Sequence, residues 1–192
     1  SGSGGGQLRT AASLADRELA LMMARMGVEV TIICRSRLLP GAEPEISEAL
    51  TESFRAEGVA MYCGSTYDAC HQDHSGVTIC IEHEGERLEL TAESLAVMTG
   101  RTPNTEGLGL ENAGVALDSR GAIVVGDNMQ TSNPAIYAAG DVIGQVSLAS
   151  TAMEEGRLAV RNAFALKTHQ FPEFFPYGIY TIPEVSGVGP TE

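Results

Sequence analysis

The chain has 192 residues, 43% of them hydrophobic, and a formal net charge of −13. It can bury one substantial core or two small ones, so it is globular rather than disordered. The acidic balance disfavours nucleic acid and anionic membrane surfaces as partners, because binding to either depends on clustered Lys and Arg. No apolar run approaches the roughly 20 residues that span a bilayer, and no signal-peptide pattern is present, so we expect a soluble cytoplasmic protein.

The N-terminal part predicts one helix and one strand. Residues 1–6 are only Ser and Gly, which is typical of a flexible linker. A helix is predicted over 13–26, with Ser13 as N-cap and Gly27 just past its end, and a β-branched strand follows at 28–33. No strand is predicted before the helix, because residues 7–10 are few and poor in β-branched side chains.

The next segment continues the alternation of helices and strands. A second helix is predicted between Pro44 and Gly58, with apolar residues at four-residue spacing. Strands are predicted at 59–63, 77–82, 87–90 and 94–99. The middle pieces are expected to form a small antiparallel excursion, and the last strand to return to the sheet core.

The four cysteines predict no special site. They are Cys34, Cys63, Cys70 and Cys80, and without a Cys-x-x-Cys pair they indicate no redox disulfide. Cys34, Cys63 and Cys80 lie in apolar, strand-like runs, where reduced cysteine acts as a small hydrophobic residue. Residues 70–74, Cys-His-Gln-Asp-His, match no standard zinc spacing, and the residues that flank them indicate a polar hairpin turn.

From Gly100 onward the composition is richer in loop residues. Strands are predicted at 122–125 and 135–139, followed by a helix over 147–166. The apolar side of this helix is predicted to carry Leu148, Met153, Leu158 and Ala159. Residues 171–177 form a connector rich in Pro and aromatic residues, and 178 begins a further element.

The segment 136–141 is the most informative. Small apolar residues lead directly into Gly140 and Asp141, and the helix begins soon after, at Ser147. Such a strand end can bring its backbone against a flat ligand and direct one acceptor at a hydroxyl, while the helix N-terminus suits an electron-rich ring or an anion. A polyol joined to an electron-poor ring describes a flavin. Gly-Asp is also a common turn pair, which is the alternative interpretation.

The ordered set of motifs resembles the flavoprotein pyridine nucleotide-disulfide oxidoreductases. The segments that carry the resemblance are 100–104 (GRTPN), 131–134 (TSNP), 140–150 (GDVIGQVSLAS) and 178–185 (GIYTIPEV). The family includes mercuric reductase, dihydrolipoamide dehydrogenase and soluble pyridine nucleotide transhydrogenase. The motifs of this chain resemble those of the last of these enzymes most. The resemblance covers about 14–192.

The resemblance implies an α/β fold, in which a Rossmann-like nucleotide-binding domain is joined to the second half of an FAD-binding domain. The NAD(P)-binding domain corresponds to 7–99, with its first strand missing, and the second flavin half to 100–166. Residues 167–192 correspond to a connector and the start of a dimerisation domain. The first flavin half is expected before residue 1 and most of the dimerisation domain after residue 192, in a full-length homodimer.

The resemblance also implies contacts to FAD. In the family, the aspartate corresponding to Asp141 accepts a hydrogen bond from the flavin ribityl chain, and the glycine at position 140 lets the backbone approach closely. Backbone N–H groups near Leu148 and Ala149 are expected to face the flavin pyrimidine edge.

A hinge between the two nucleotide-binding domains is implied at Thr99, Gly100 and Arg101. Met98 stands where the family has alanine, so the hinge carries over only in part. A solvated loop cation is an equally good interpretation of Arg101.

The resemblance and the strand pattern together favour NADP. Arg35 and Arg37 follow the strand that ends at 33, where an acid would hold the ribose 2′-hydroxyl of NAD and arginines accommodate a 2′-phosphate. Solvated loop arginines are the alternative.

The family's glycine loop aligns with 11–16, Ala-Ala-Ser-Leu-Ala-Asp, which retains none of its three glycines. Asp16 adds a negative charge where pyrophosphate is expected. The nicotinamide nucleotide site is therefore predicted to be damaged.

Two classes of function follow. The first is an FAD-dependent enzyme segment that transfers hydride between NADPH and NAD through flavin, with dihydrolipoamide dehydrogenase or mercuric reductase chemistry as the alternative within the class. The second is a catalytically incompetent remnant that binds no cofactor well.

Overall fold

The computed structural model describes residues 7–11, 16–167 and 171–190 and divides the chain into two compact units. The first unit is Ser1–Gly100 with Gly178–Glu192, and the second is Arg101–Tyr177. The predicted linker at 1–6, the predicted N-cap Ser13 and the rest of the loop at 12–15 lie outside the described residues.

The described residues of the first unit up to Gly100 form two sheets and two helices. Its elements in chain order are β1 (Gln7–Ala11), α1 (Asp16–Arg25), β2 (Glu29–Cys34), α2 (Pro44–Ala56), β3 (Ala60–Cys63), β4 (Thr66–Asp73), β5 (Gly76–His83), β6 (Glu86–Ala92) and β7 (Ser94–Val97). The two predicted helices and the predicted strands of this region are confirmed, with shifts of a few residues at their ends.

The parallel sheet has the strand order β3-β2-β1-β7. β1 pairs in parallel with β2 on one side and with β7 on the other, so the predicted absence of a first strand is wrong. The prediction failed because strand propensity is decided by neighbours: a short segment without β-branched enrichment is stabilised when both edges find partners. The order and the crossover helices are those of a doubly wound α/β half-domain.

The antiparallel sheet has the order β4-β5-β6, which confirms the predicted excursion and the return of the chain to the parallel sheet at β7. Strand β4 was not predicted. Cys70 and His71 lie within it and pair with β5, and the polar hairpin turn predicted beside 70–74 is confirmed, since His74 and Ser75 connect β4 to β5. The sequence shows no alternation of apolar and polar residues over this strand, because the strand is exposed along its whole length and carries many charged and polar residues.

The core of the first unit lies on both faces of β2, which is buried at five consecutive positions. Ile33 packs with Ile79, Ile81 and Leu90 of the antiparallel sheet. Helix α2 contributes Leu50 and Phe54, both fully buried, as the four-residue spacing predicts.

The second unit is built around one helix, α3 (Ala149–Ala163), preceded by a 3₁₀ turn at Asp141–Ile143. Its core cluster of buried hydrophobic residues consists of Val115, Ile123, Met129, Ile143, Leu158 and Ala159. Leu158 and Ala159 confirm the predicted apolar side of the helix, and Met153 corrects it, since 58% of that residue is exposed. Thr151 and Glu155 are the further buried positions of α3.

The strands predicted at 122–125 and 135–139 are wrong. The described residues of these segments form only isolated bridges, such as those of Ile123 with Leu117 and of Tyr137 with Gln130. Their backbone partners are scattered: the Ile123 N–H donates to Val142 and the Val124 N–H to Ala116, so no ladder propagates.

A tight turn at Asp118 organises the loop before Ile123. The Asp118 carboxylate Oδ1 accepts the backbone N–H groups of Ala122 at 2.9 Å and Arg120 at 2.8 Å. These two hydrogen bonds lower the pKa of Asp118 below its ordinary value of 3.8, because they stabilise the charged form.

The C-terminal segment forms a two-stranded sheet of β8 (Tyr177–Ile179) and β9 (Val185–Gly187). The Ser53 hydroxyl of α2 donates to the Ile182 carbonyl at 2.8 Å. The Tyr180 N–H donates to Glu18 Oε1 of α1 at 2.7 Å. These bonds join the segment to the helices of the first unit; its assignment to a dimerisation domain stays a prediction.

Candidate functional site

The turn that contains Asp141 begins at Gly140 and ends at Gly144, and both glycines have a positive φ. Gly140 has φ 82° and ψ −160°, a region that is costly for any residue with a Cβ. Gly144 is left-handed with φ 67°, and a Cβ there would stand 2.7 Å from the Cβ of the buried Ala122. Ile143 anchors the turn in the core between them, which leaves Asp141 directed outward.

The structure brings together two residues that the sequence assigned to separate motifs. Arg101 Nη1 and Asp141 Oδ2 are 2.7 Å apart, with both side chains about half exposed or more. An exposed ion pair of this kind stabilises the fold by only about 0 to 1 kcal/mol. Its consequence is orientation: the pair uses one carboxylate oxygen of Asp141, and Oδ1 makes no hydrogen bond within the described part of the chain.

A buried carboxyl group lies behind this turn. Glu155 Oε2 accepts the Gly140 N–H at 2.6 Å, and only 1% of the residue is exposed. Within the described residues, its Oε1 and the hydroxyl of Thr151 are buried without a hydrogen-bond partner. Sequence reasoning missed both residues. Their signal was helical spacing, since positions 151, 155, 158 and 159 share one face of α3.

Helix α3 begins without a side-chain cap beside the predicted flavin-facing positions. Leu148 is the N-cap residue in an extended conformation, and no side chain accepts the first helical N–H groups. The Leu148 N–H donates to the Val146 carbonyl at 2.9 Å, and the contact of the N–H groups near Leu148 and Ala149 with the flavin stays a prediction. Ala149 is exposed at the positive end of the helix dipole.

The predicted hinge residues follow β7. Thr99 and Gly100 are exposed, and Gly100 has φ 135°. The boundary between the two compact units falls between Gly100 and Arg101. The residue preceding this hinge, Met98, is half-buried.

The two arginines after β2 differ in their availability. Arg37 donates to the carbonyls of Leu39 at 3.3 Å, Pro40 at 3.1 Å and Ala42 at 2.7 Å, so it holds its own loop together. Arg35 is exposed and makes no hydrogen bond or ion pair within the described residues. It is the cation that a phosphate could reach without breaking existing bonds.

The loop aligned with the family's glycine motif lies between the end of β1 at Ala11 and the start of α1 at Asp16. This is the strand, loop and helix context that a dinucleotide fingerprint requires. The predicted absence of the first strand therefore no longer counts against the nucleotide site. The residues 12–15 and the direction of the Asp16 side chain lie outside what the structure describes.

Among the described residues, His, Cys, Asp and Glu side chains form no group of three or more that could hold a metal ion. None of the helices in this part of the chain is both long enough and apolar enough to cross a membrane.

Comparison with known proteins gives consistent matches. The sequence profile described as pyridine nucleotide-disulphide oxidoreductase matches residues 17–156. A soluble pyridine nucleotide transhydrogenase of Marinomonas sp. is 40% identical over 91% of this chain and 37% of that protein. A mercuric reductase of Staphylococcus aureus is 39% identical over 91% of this chain and 32% of its own length. The chain thus spans about a third of the length of these relatives.

Solved structures give the same result. The HOCl-induced flavoprotein disulfide reductase RclA of Escherichia coli has a TM-score of 0.86 at 27% identity, over 97% of this chain and 43% of that one. LpdA of Mycobacterium tuberculosis has a TM-score of 0.83 at 26% identity, over 94% of this chain and 39% of that one. The predicted fold class is confirmed: an α/β, Rossmann-like nucleotide-binding domain joined to part of an FAD-binding domain.

Proposed function

The chain belongs to the pyridine nucleotide-disulphide oxidoreductase family, and on that premise we propose that it supplies the NAD(P)-binding domain and the second flavin half of an FAD-dependent oxidoreductase. The observation that carries the proposal is the Gly140–Asp141 turn, which lies inside the matched segment and presents an exposed carboxyl group. In this assignment, 7–99 is the nucleotide domain, 100–166 the flavin segment and 167–192 the connector to a dimerisation domain.

The residues of the second unit fit FAD. Gly140 has no Cβ at a position where the backbone would approach the cofactor, and Asp141 Oδ1 would accept a ribityl hydroxyl while Arg101 holds the other oxygen. The start of α3 at Ala149 would stabilise negative charge on the reduced ring by about 0.3 to 1 kcal/mol. Bound FAD would supply the hydride-accepting chemistry.

For the nicotinamide nucleotide, we propose a preference for NADP over NAD. Arg35 is available to a 2′-phosphate, and the last strand residue before it is Cys34 rather than an acid. Affinity is expected to be low, because 11–16 contains no glycine and a carboxylate about 4 Å from a phosphate costs about 4 kcal/mol at an effective dielectric of about 20. Arg35→Glu is expected to reverse the preference in calorimetric titrations with NADPH and NADH; equal affinities before and after the change would contradict it.

We propose hydride transfer from NADPH to NAD through flavin as the activity of the full-length protein. The names of several relatives support it, among them transhydrogenases at 40% and 42% identity. A mercuric reductase at 39% identity keeps disulfide- or metal-reductase chemistry as the second candidate. A third candidate is a remnant that binds no cofactor.

One reconstitution experiment separates these candidates. The chain is combined with the N-terminal flavin segment of a transhydrogenase relative, and the purified complex is examined by absorbance and intact mass. The proposal expects flavin absorbance and NADPH-dependent reduction of an NAD analogue. Flavin absorbance with mercuric-ion-dependent NADPH oxidation instead would favour the second candidate, and a colourless complex of the correct mass would favour the remnant.

The proposal extends to assembly and location. A homodimer is proposed for the full-length protein, because the family resemblance implies a dimerisation domain. A cytoplasmic location is proposed because the transhydrogenase relatives are named soluble.

A further inference from the structure

Two cysteines that the sequence separates by 29 positions touch at the ends of neighbouring strands. Cys34 is the last residue of β2 and Cys63 the last residue of β3, and they pair directly in the parallel register. Their sulfur atoms are 3.2 Å apart, and both are free thiols. Residues directly opposite on adjacent strands stand about 4.8 Å apart, within the Cα separations of about 4.4 to 6.8 Å that a disulfide spans.

The backbone around the pair fixes this approach. The Ser65 N–H donates to the Cys34 carbonyl at 3.0 Å, and the Gly64 N–H donates to the Ser36 carbonyl at 3.2 Å. The two strand ends are therefore held together beyond the last residues of the ladder. The sulfurs, 3.2 Å apart, need to approach by about 1 Å to reach the length of a disulfide bond.

The two thiols differ in access to solvent. Cys63 is partly exposed and lines an open groove of about 310 Å³ along α2, which Arg55 and Arg37 also line. Cys34 is only 8% exposed, and its thiol lies 3.0 Å from the Ser36 carbonyl. A reagent that enters the groove meets Cys63 first, with Cys34 behind it.

The surroundings of the pair also give the two thiols different pKa values, and this difference again makes Cys63 the more reactive thiol. The hydrogen bond from Cys34 lowers the pKa of Cys63 to about 7, with Arg55 and Arg17 contributing and burial opposing. The same hydrogen bond and burial raise the pKa of Cys34. The thiolate form is therefore favoured at Cys63 and disfavoured at Cys34.

We propose that Cys63 and Cys34 form a hydroperoxide-reactive dithiol, in which Cys63 is the nucleophile and Cys34 the resolving thiol. The Cys63 thiolate attacks one oxygen of the hydroperoxide, so that an S–O bond forms and the O–O bond breaks. The departing oxygen takes the electron pair and a solvent proton and leaves as an alcohol or water. Cys63 is oxidised by two electrons to a sulfenic acid as the hydroperoxide is reduced.

The Cys34 sulfur then attacks the Cys63 sulfur. The S–S bond forms, the S–O bond breaks, and the hydroxide leaves as water with the Cys34 proton. The sum is one dithiol and one hydroperoxide giving one disulfide, one alcohol and one water. This site is independent of the flavin proposal, since it uses only residues of the first unit.

The expected rate advantage follows from the thiolate fraction. A pKa of about 7 instead of 9.0 raises that fraction at pH 7 about 50-fold. A more acidic thiol is also less nucleophilic, and a Brønsted slope of about 0.4 to 0.5 reduces the gain in rate by about 6- to 10-fold. Cys63 is therefore expected to react about five- to eightfold faster than an ordinary exposed thiol.

The test treats the full 192-residue chain with hydrogen peroxide and maps cysteines by peptide mass spectrometry. The exposed Cys70 serves as the internal reference. The expected result is a Cys34–Cys63 disulfide that a reducing agent reverses, formed about fivefold faster than Cys70 is oxidised. The same chain unfolded in guanidinium is expected to lose this selectivity.

Two variants in a Cys70→Ser, Cys80→Ser background assign the roles, with circular dichroism as the folding control. Cys34→Ser is expected to stop at a sulfenic acid on Cys63 that dimedone captures, and Cys63→Ser to lose the fast reaction. The proposal is overturned if the folded chain forms no Cys34–Cys63 bond, if Cys63 reacts no faster than Cys70, or if folded Cys34→Ser accumulates no sulfenic acid.

Discussion

Replacement of Glu155 tests what holds the Gly140–Asp141 turn in place. Glu155→Ala removes the acceptor of the Gly140 N–H and leaves a cavity where a side chain 1% exposed had been. The lost hydrogen bond costs about 1 to 3 kcal/mol, and the cavity adds about 1 to 2 kcal/mol. Loss of the unpartnered Oε1 works in the opposite direction. The expected net destabilisation is therefore about 2 kcal/mol.

Glu155→Gln separates the hydrogen bond from the rest of the side chain. The amide keeps an acceptor oxygen for Gly140 and nearly the same volume, so the expected change is within about 1 kcal/mol. Met153→Ala is the matched control on the exposed side of the same helix, with an expected change of about 0.5 kcal/mol or less.

The assay is urea unfolding followed by circular dichroism, combined with hydrogen exchange of the peptide that contains Gly140. The Gly140 amide is expected to exchange faster in Glu155→Ala than in Glu155→Gln. The reasoning is refuted if the two variants are equally stable, or if exchange at Gly140 is the same in both.

Three further outcomes are expected. Gly144→Ala should destabilise the second unit by about 2 kcal/mol or more, because the new Cβ would clash with Ala122 and the backbone has a positive φ. Gly156→Ala is the control on α3, where a new Cβ meets open space, and it should be neutral or stabilising by up to about 1 kcal/mol. Thermal unfolding compares the two variants. The stability that Asp118 contributes should be fully present above its ordinary pKa of 3.8 and should be lost as the pH falls through its lowered pKa in the folded chain. In acid unfolding, the free energies of unfolding of Asp118→Ala and of the parent chain should therefore become equal at low pH. Alkylation of Cys63 should accelerate as the pH rises through about 7, and Arg55→Gln should move that midpoint upward; an unchanged midpoint would contradict the assigned role of Arg55.

The alternation of helices and strands in the first unit was predictable because each element carries a local signal. Helix α2 shows this most clearly, since Pro44 at its start and the spacing of Leu50 and Phe54 all act within the helix itself. Strand β1 had no such signal. It is stabilised by the strands on either side, which are distant in sequence.

The second unit was less predictable, because its segments carry a local strand signal but do not pair with a common neighbour. The runs at 122–125 and 135–139 have strand composition, yet their N–H groups bond to several different segments. Local propensity favours an extended backbone without specifying a partner, and a sheet requires both.

The candidate site shows the same division. Gly140 and Asp141 could be identified because a motif carries them, and Arg35 because it follows a predicted strand. The burial of Glu155, the pairing of Arg101 with Asp141 and the contact between the two strand-end thiols depend on register and tertiary packing, which no local pattern encodes.

The dissociation constant of FAD from the reconstituted complex, before and after Asp141→Ala, tests the central claim most directly. FAD binding is expected to weaken by about 1 to 3 kcal/mol, or about 5- to 150-fold, since a hydrogen-bond acceptor for the ribityl chain is lost. Asp127→Ala, at another exposed acid of the same unit, should leave the constant unchanged. Equal FAD affinity in the parent and Asp141→Ala complexes would contradict the assignment of this turn to the flavin site.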